Sequence, residues 1–213
     1  TISSRRNRLD KFVQSAGESP ESSSYDWTMS RKPVRRGVSK AQWLEAGLEY
    51  LANYSVATLT IENLARQLGI AKSGFYWHFS NRDELLRDLL GYWIHEITEV
   101  VTANAEFQAM EPKERLTRTA EMIFDFQLTR WEMAFRQWAL EDKHAAQVVR
   151  KANRMRMEYL LTAFTELGFE GDDAEMRAMT LLSYMTWDMH TFGYISKKKR
   201  RGMIASRVDL LTS

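Results

Sequence analysis

Between Thr60 and Leu86 the chain reads TIENLARQLGIAKSGFYWHFSNRDELL, and no other stretch restricts its fold as tightly. Ile61, Leu64, Ala65 and Leu68 recur at helical spacing and define one apolar face. Gly69 follows, a residue that enters the left-handed conformation of a helix C-terminus without a Cβ penalty. The next helix is expected from about Ala71, with Phe75 and Phe79 four residues apart and turned toward the same core. Lys72, Ser73, Tyr76, Trp77 and His78 then fall on the remaining faces. A short helix that turns cationic, hydroxyl and amphipathic aromatic groups outward suits a polyanion. That is the geometry of a helix-turn-helix whose second helix enters the major groove.

The rest of the chain narrows the class. Net charge is only +2, so any affinity for nucleic acid has to come from local clustering. Cysteine is absent, which excludes disulfides, thiolate metal sites and cysteine nucleophiles. Apolar residues are scattered at helical spacing with no run long enough to span a bilayer, and the first residues lack the apolar core of a secretory signal. A protein of the cytoplasm is therefore expected, with no membrane association. Three prolines and ten glycines, the glycines mostly near predicted helix ends, point to an all-α chain.

Residues 1–37 are rich in Ser, Arg and Glu, contain Pro20 and Pro33, and show little periodic hydrophobicity. They are expected to be a disordered basic extension. From Ser39, with Gln42 as capping-box partner, a first helix carries Leu44, Leu48 and Leu51 inward. Ser80 and Asp83 form a second such pair ahead of a fourth helix, apolar from Leu86 through Ile97. Pro112 suits the first turn of a fifth helix, and a sixth runs through Trp131, Phe135 and Trp138. A seventh spans roughly 143–167 and stops at Gly168. Asp172 and Glu175 are read as the cap of an eighth, and a ninth lies near 203–211. The division expected is residues 38–84 as a three-helix DNA-binding head and 85–213 as a helical body.

The string Thr60, Leu64-Ala65, Gly69-Ile70, Tyr76, Phe79, Arg82, Glu84-Leu85 resembles the DNA-binding end of the TetR family of bacterial transcriptional regulators. Tyr76-Trp77-His78 is similar to its tetracycline-repressor-like members. Ala71 departs from the pattern, which often has a Ser or Thr capping the recognition helix, and Arg82 stands where Lys is usual. The resemblance implies a homeodomain-like helix-turn-helix head on a helical ligand-binding and dimerisation bundle. MSRKPVRRGVSKAQ from Met29 looks like a natural start for such a protein, so residues 1–28 are expected to be an upstream extension.

The resemblance implies a regulator of transcription that binds double-stranded DNA at a near-palindromic operator as a homodimer, paired through helices eight and nine. Thr60, Tyr76, His78 and Arg82 are expected on phosphates or sugars. Lys72, Ser73 and Trp77 are expected near base edges, and Gly74 on the same face. Arg35 and Arg36, with Arg31 and Lys32, form a candidate arm for phosphates or the minor groove. In the body, Met122, Phe126, Trp131, Phe135, Trp138, Met155, Tyr159 and Met185 are candidates to line a pocket for a small apolar or aromatic effector that releases the repressor. Each of them also suits plain core. His190, Arg130 and Arg136 are candidate polar anchors.

No cofactor, metal site or catalysis is expected. His95-Glu96-Ile97-Thr98-Glu99 lacks the second His of a zinc-protease helix and reads as surface; Lys197 to Arg201 reads as a solvated loop. The alternatives are a helical protein-interaction module without specific DNA binding, and a regulator that responds to no ligand.

Overall fold

A computed structural model of the chain describes residues 37–213. The expected basic arm, including Arg35 and Arg36, and the extension of residues 1–28 lie outside the described residues. The described part is all helical, with no strand.

The head is built by α1 (Lys40–Leu51), α2 (Ile61–Leu68) and α3 (Lys72–Trp77). Ser39 and Gln42 form the capping box: the Ser39 hydroxyl accepts from the Gln42 amide (3.3 Å), and the Ser39 amide donates to Gln42 Oε1 (2.8 Å). Thr60 caps α2 by accepting from the Asn63 amide (3.2 Å). Gly69 ends α2 at φ 68°, and the Ile70 amide donates back to the Ala65 carbonyl, a closure that a residue with a Cβ would strain. The third element is wound as a 3-10 helix rather than an α-helix. Ala71 at its N-cap has no side-chain oxygen to offer. The tighter winding lets the Gly74 amide reach the Ala71 carbonyl instead.

Trp43, Phe75 and Phe79 are buried and hold α1 to α3. Phe75 meets Trp43 edge-on at 5.4 Å and stacks with Phe79 at 5.0 Å.

The long helix α4 starts one residue later than its sequence pattern suggested. Asn81, not Ser80, is the N-cap and accepts from the Glu84 amide (2.9 Å); the Glu84 carboxylate reaches back to the Ser80 amide (2.7 Å). Asp83 lacks the extra methylene needed for that reach. Helix α4 covers Arg82–Ile94 and runs on without a break through a π-helical stretch, His95–Glu99, to Val100–Thr102. Its N-terminal half (Leu85, Leu86, Leu89) is buried in the same core as Phe75 and Phe79. Its C-terminal half (Trp93, Ile97, Val101) is buried against the body.

After a single-turn helix, Ala105–Gln108, the body comprises α5 (Pro112–Asp125), α6 (Glu132–Glu141), α7 (Lys143–Glu166) and α8 (Gly171–Phe192). A short helix, Lys197–Gly202, and α9 (Ile204–Leu211) complete it. Asp142 alone separates α6 from α7 and caps the latter by accepting from the Ala145 amide (2.7 Å). No side chain caps α8, so the Asp172–Glu175 cap does not form; the helix begins at Gly171, after Glu170. A second core joins Leu116, Leu160, Phe164, Leu181, Ile204 and Val208, where buried Ala163, Ala174 and Ala178 keep α7 close to α8.

Two further sequence readings are corrected. The HEITE stretch is not surface: Glu96, Ile97 and Thr98 are buried in the π segment. The basic run is not a solvated loop either. It is helical, Arg200 is buried against Asp188, and Arg201 bonds Asp125 (3.0 Å) and Glu121 (2.9 Å). Burial of Asp188, which also accepts from Tyr184, explains why an arginine from this run turns inward.

Candidate nucleic-acid interface and interior clefts

Burying Phe75 and Phe79 leaves the intervening residues of the recognition segment no choice of side. Tyr76 is 54% exposed and Trp77 86% exposed, while Lys72 and Ser73 are exposed beside them. An indole with that much surface in water contributes little to folding, so Trp77 is left available to a partner. A Cβ at Gly74 would meet only Ile70 Cδ1 at 3.6 Å, an ordinary contact, so the fold does not demand glycine there.

Other groups of the expected DNA set are already engaged within the head. Lys72 Nζ bonds Glu62 at 2.7 Å across the α2–α3 turn. That bond holds the Glu62 carboxyl below its ordinary range and raises the Lys72 ammonium, although water weakens the pair at this exposed position. His78 Nε2 lies 2.7 Å from the Val38 carbonyl, and its ring is half-buried. The Arg82 guanidinium points inward rather than toward a phosphate. Its Nε donates to the Leu59 carbonyl (2.7 Å) and its Nη2 to the Val56 carbonyl (2.6 Å). Arg82 thus brackets the loop ahead of α2 to the start of α4, its Nη2 adding a second donor to a Val56 carbonyl that already accepts the Leu59 amide (3.1 Å). Thr60, half-buried, uses its hydroxyl oxygen as the cap of α2 and keeps the O–H free to donate outward.

Sequence reasoning passed over Tyr50 and Asn63. The Tyr50 hydroxyl donates to the Thr58 carbonyl (2.8 Å), and Asn63 Nδ2 donates to both that carbonyl (3.2 Å) and Tyr50 Oη (3.3 Å). Together they fix the entry to α2. An Asn one turn into a helix beside a Thr cap is the signal that was available.

The body does not bring its sequence-singled aromatics into one pocket. Met122, Trp131 and Phe135 are packed core; Phe135 stacks on Trp93 at 4.4 Å and the Arg130 guanidinium lies 4.2 Å over the Trp131 ring. Arg130 also pairs with Glu49 of α1. Phe126 is half-buried against this core. Trp138 lines a surface groove with Arg82 between the head and α6, and Met155 lines another on α7. His190 is exposed, 5.9 Å from the Trp187 ring.

Two interior clefts remain, and Tyr159 and Met185 are the predicted residues that line them. One lies among α5, α8 and α9, with Tyr184, Asp188 and Arg207 on its wall. The other, among α4, α5, α7 and α8, has an empty volume of about 470 Å³ counting its mouth. Ile97, Val101, Ile123, Leu128, Leu160, Leu182 and Met185 make its apolar wall; Thr98, Thr119, Arg156, Tyr159 and Thr186 supply polar atoms. The Thr119 and Tyr159 hydroxyls share a hydrogen bond of 3.0 Å, and burial raises the Tyr159 phenol above its usual value. No acidic residue lines this cleft.

A three-helix head with a capped α2, a Gly-turned recognition segment and an exposed Tyr-Trp face defines a helix-turn-helix DNA-binding protein. Residues 44–89 match the model for bacterial regulatory proteins of the tetR family. Solved structures share the whole described fold. A transcriptional regulator from Rhodococcus sp. Rha1 aligns at a TM-score of 0.65 and 17% identity, over 82% of this chain and 96% of that one. A TetR-family transcriptional regulator from Marinobacter aquaeolei VT8 aligns at 0.63 and 15%, over 82% and 89%. A TetR transcription regulator from Haloarcula marismortui aligns at 0.62 and 16%, over 80% and 96%. No curated protein matches the sequence. The head, over residues 44–89, is that of the tetR family of bacterial regulatory proteins, and the described chain shares the fold of these solved regulators. Among the described residues, no helix is long and apolar enough to cross a membrane.

Proposed function

We propose that this protein is a sequence-specific, homodimeric repressor that binds a near-palindromic operator and is released from it by a small apolar effector. The observation that carries the DNA reading is the recognition segment itself: Phe75 and Phe79 are buried while Tyr76 and Trp77 stand out in solvent. Trp77 is offered for a thymine methyl or a sugar, Tyr76 for a phosphate, and Lys72 for a base edge once its bond to Glu62 gives way. Support for pairing through α8 and α9 comes from exposed Met176, Met179 and Leu210 on those helices.

Operator affinity and its salt dependence test the reading. A dimer that neutralises about eight phosphates loses affinity with a log–log slope near −7. Tyr76→Ala with Trp77→Ala removes exposed groups only, so it weakens operator binding without unfolding the head. A slope near zero, or unchanged affinity in the double variant, would leave a protein-interaction module as the better account.

A further inference from the structure

We propose that the cleft among α4, α5, α7 and α8 binds an apolar monocarboxylate, with its carboxylate on Arg156. The inference rests on the effector reading above and gives that effector a chemical class.

Three features of the cleft lead there. The first is an incomplete guanidinium. Arg156 Nη1 bonds Glu132 at 2.5 Å and its Nε donates to Thr98 Oγ1 at 3.0 Å, while its Nη2 is buried without a hydrogen-bond partner. A buried cationic donor left open is costly, and a carboxylate oxygen is the acceptor that suits it best.

The second is charge. Arg136 approaches the same Glu132 carboxylate at 3.5 Å, so two guanidiniums share one buried acid. With no carboxylate on the cleft wall, the cluster has room for one more negative charge. The third is the wall itself, which is aliphatic apart from hydroxyls, as a hydrocarbon or aryl tail requires.

The cleft as it stands is narrow, with room for roughly three waters. Entry of a tail must therefore part the helices. Thr98 lies in the π-helical stretch of α4, a winding frequent at functional sites. A carboxylate drawing on Arg156 thus pulls on a segment of α4 whose other end is packed beneath the recognition helix.

The test is thermal unfolding of the full chain, without DNA, in octanoate, decanoate and phenylacetate, each compared with the alcohol of the same skeleton. At least one acid should raise Tm by roughly 5–10 °C at a hundredfold excess over its Kd. The matching alcohol should bind at least about tenfold more weakly. Arg156→Met should cost the acid about tenfold or more in affinity and leave the alcohol unchanged. If that change unfolds the protein by stranding Glu132, Arg156→Met with Glu132→Gln removes the stranded charge and gives the same readout.

No binding by any acid, equal binding of acid and alcohol, or full acid affinity in the variant would overturn the proposal. Because DNA is absent, these outcomes are independent of operator binding. A chain that takes the acid but binds no operator refutes the regulator reading alone.

Discussion

Arg82 offers the sharpest separation between a residue that touches DNA and one that holds the DNA-binding surface in shape. Its guanidinium makes two hydrogen bonds, to the Leu59 carbonyl at 2.7 Å and the Val56 carbonyl at 2.6 Å. A hydrogen bond to a charged group contributes about 1.5–3 kcal/mol. Arg82 is half-buried, so solvent screening lowers the figure toward about 1–1.5 kcal/mol for each. Arg82→Ala should then cost about 2–3 kcal/mol, which for a chain of this size lowers Tm by about 4–12 °C. Operator affinity should fall at every salt concentration, because the entry to α2 loosens, while the salt slope stays the same. A phosphate contact gives the opposite pattern. Loss of one phosphate per protomer flattens the slope by about 1.8 for a dimer and leaves Tm nearly unchanged. Calorimetry of the variant alongside a salt titration of its operator complex decides the matter. An unmoved Tm with a flattened slope would refute the bracket.

Four further outcomes are expected. Trp77→Ala should leave stability within about 0.5 kcal/mol of the parent and weaken operator binding about tenfold or more, read by calorimetry and fluorescence anisotropy. Glu62→Gln should free Lys72 and tighten operator binding by up to about fivefold at low salt, the gain vanishing at high salt; affinity measured at two salt concentrations checks it. Phe135→Ala should cost about 3–5 kcal/mol in denaturant unfolding, since it empties the stacked position against Trp93. The Glu99 carboxyl is held below its ordinary value of 4.5, chiefly by the Lys151 ammonium and then by His95. A lowered folded-state value means that its small stabilising contribution is complete above about pH 4.5 and is lost as pH falls through the folded value. Glu99→Gln should accordingly flatten the acid limb of Tm against pH.

The head was legible in the sequence because its signals are local. Ser39 with Gln42, Thr60, Gly69 and the Phe75–Phe79 pair each act within a turn of the chain, and each sits where that local chemistry puts it. What local pattern could not say was where side chains of mixed character would turn. Arg82 and His78 go to carbonyls of loops 23 and 40 residues away in sequence, distances at which periodicity carries no information. In the body, the aromatic stripe of α6 was visible but its partner was not, so Trp131 and Phe135 stood as pocket candidates although plain core was the favoured reading of each. A better signal lay on α7. Val149, Ala152, Leu160 and Ala163 are buried on α7, and Arg156 stands midway between Ala152 and Leu160, so that the five together fall at spacings of three and four. A cation on a buried stripe requires a buried acid or a ligand, and Glu132 is that acid. The π winding of α4 has no comparable mark in the sequence.

The account stands on sequence-specific binding of DNA by two copies of this head. Selection of genomic fragments by the full-length protein at moderate salt tests it most directly. The prediction is recovery of a short inverted repeat, with half-sites spaced to suit successive major grooves and enrichment lost with Tyr76→Ala and Trp77→Ala. Recovery of fragments without a shared motif, or of the same motif by the double variant, would contradict it.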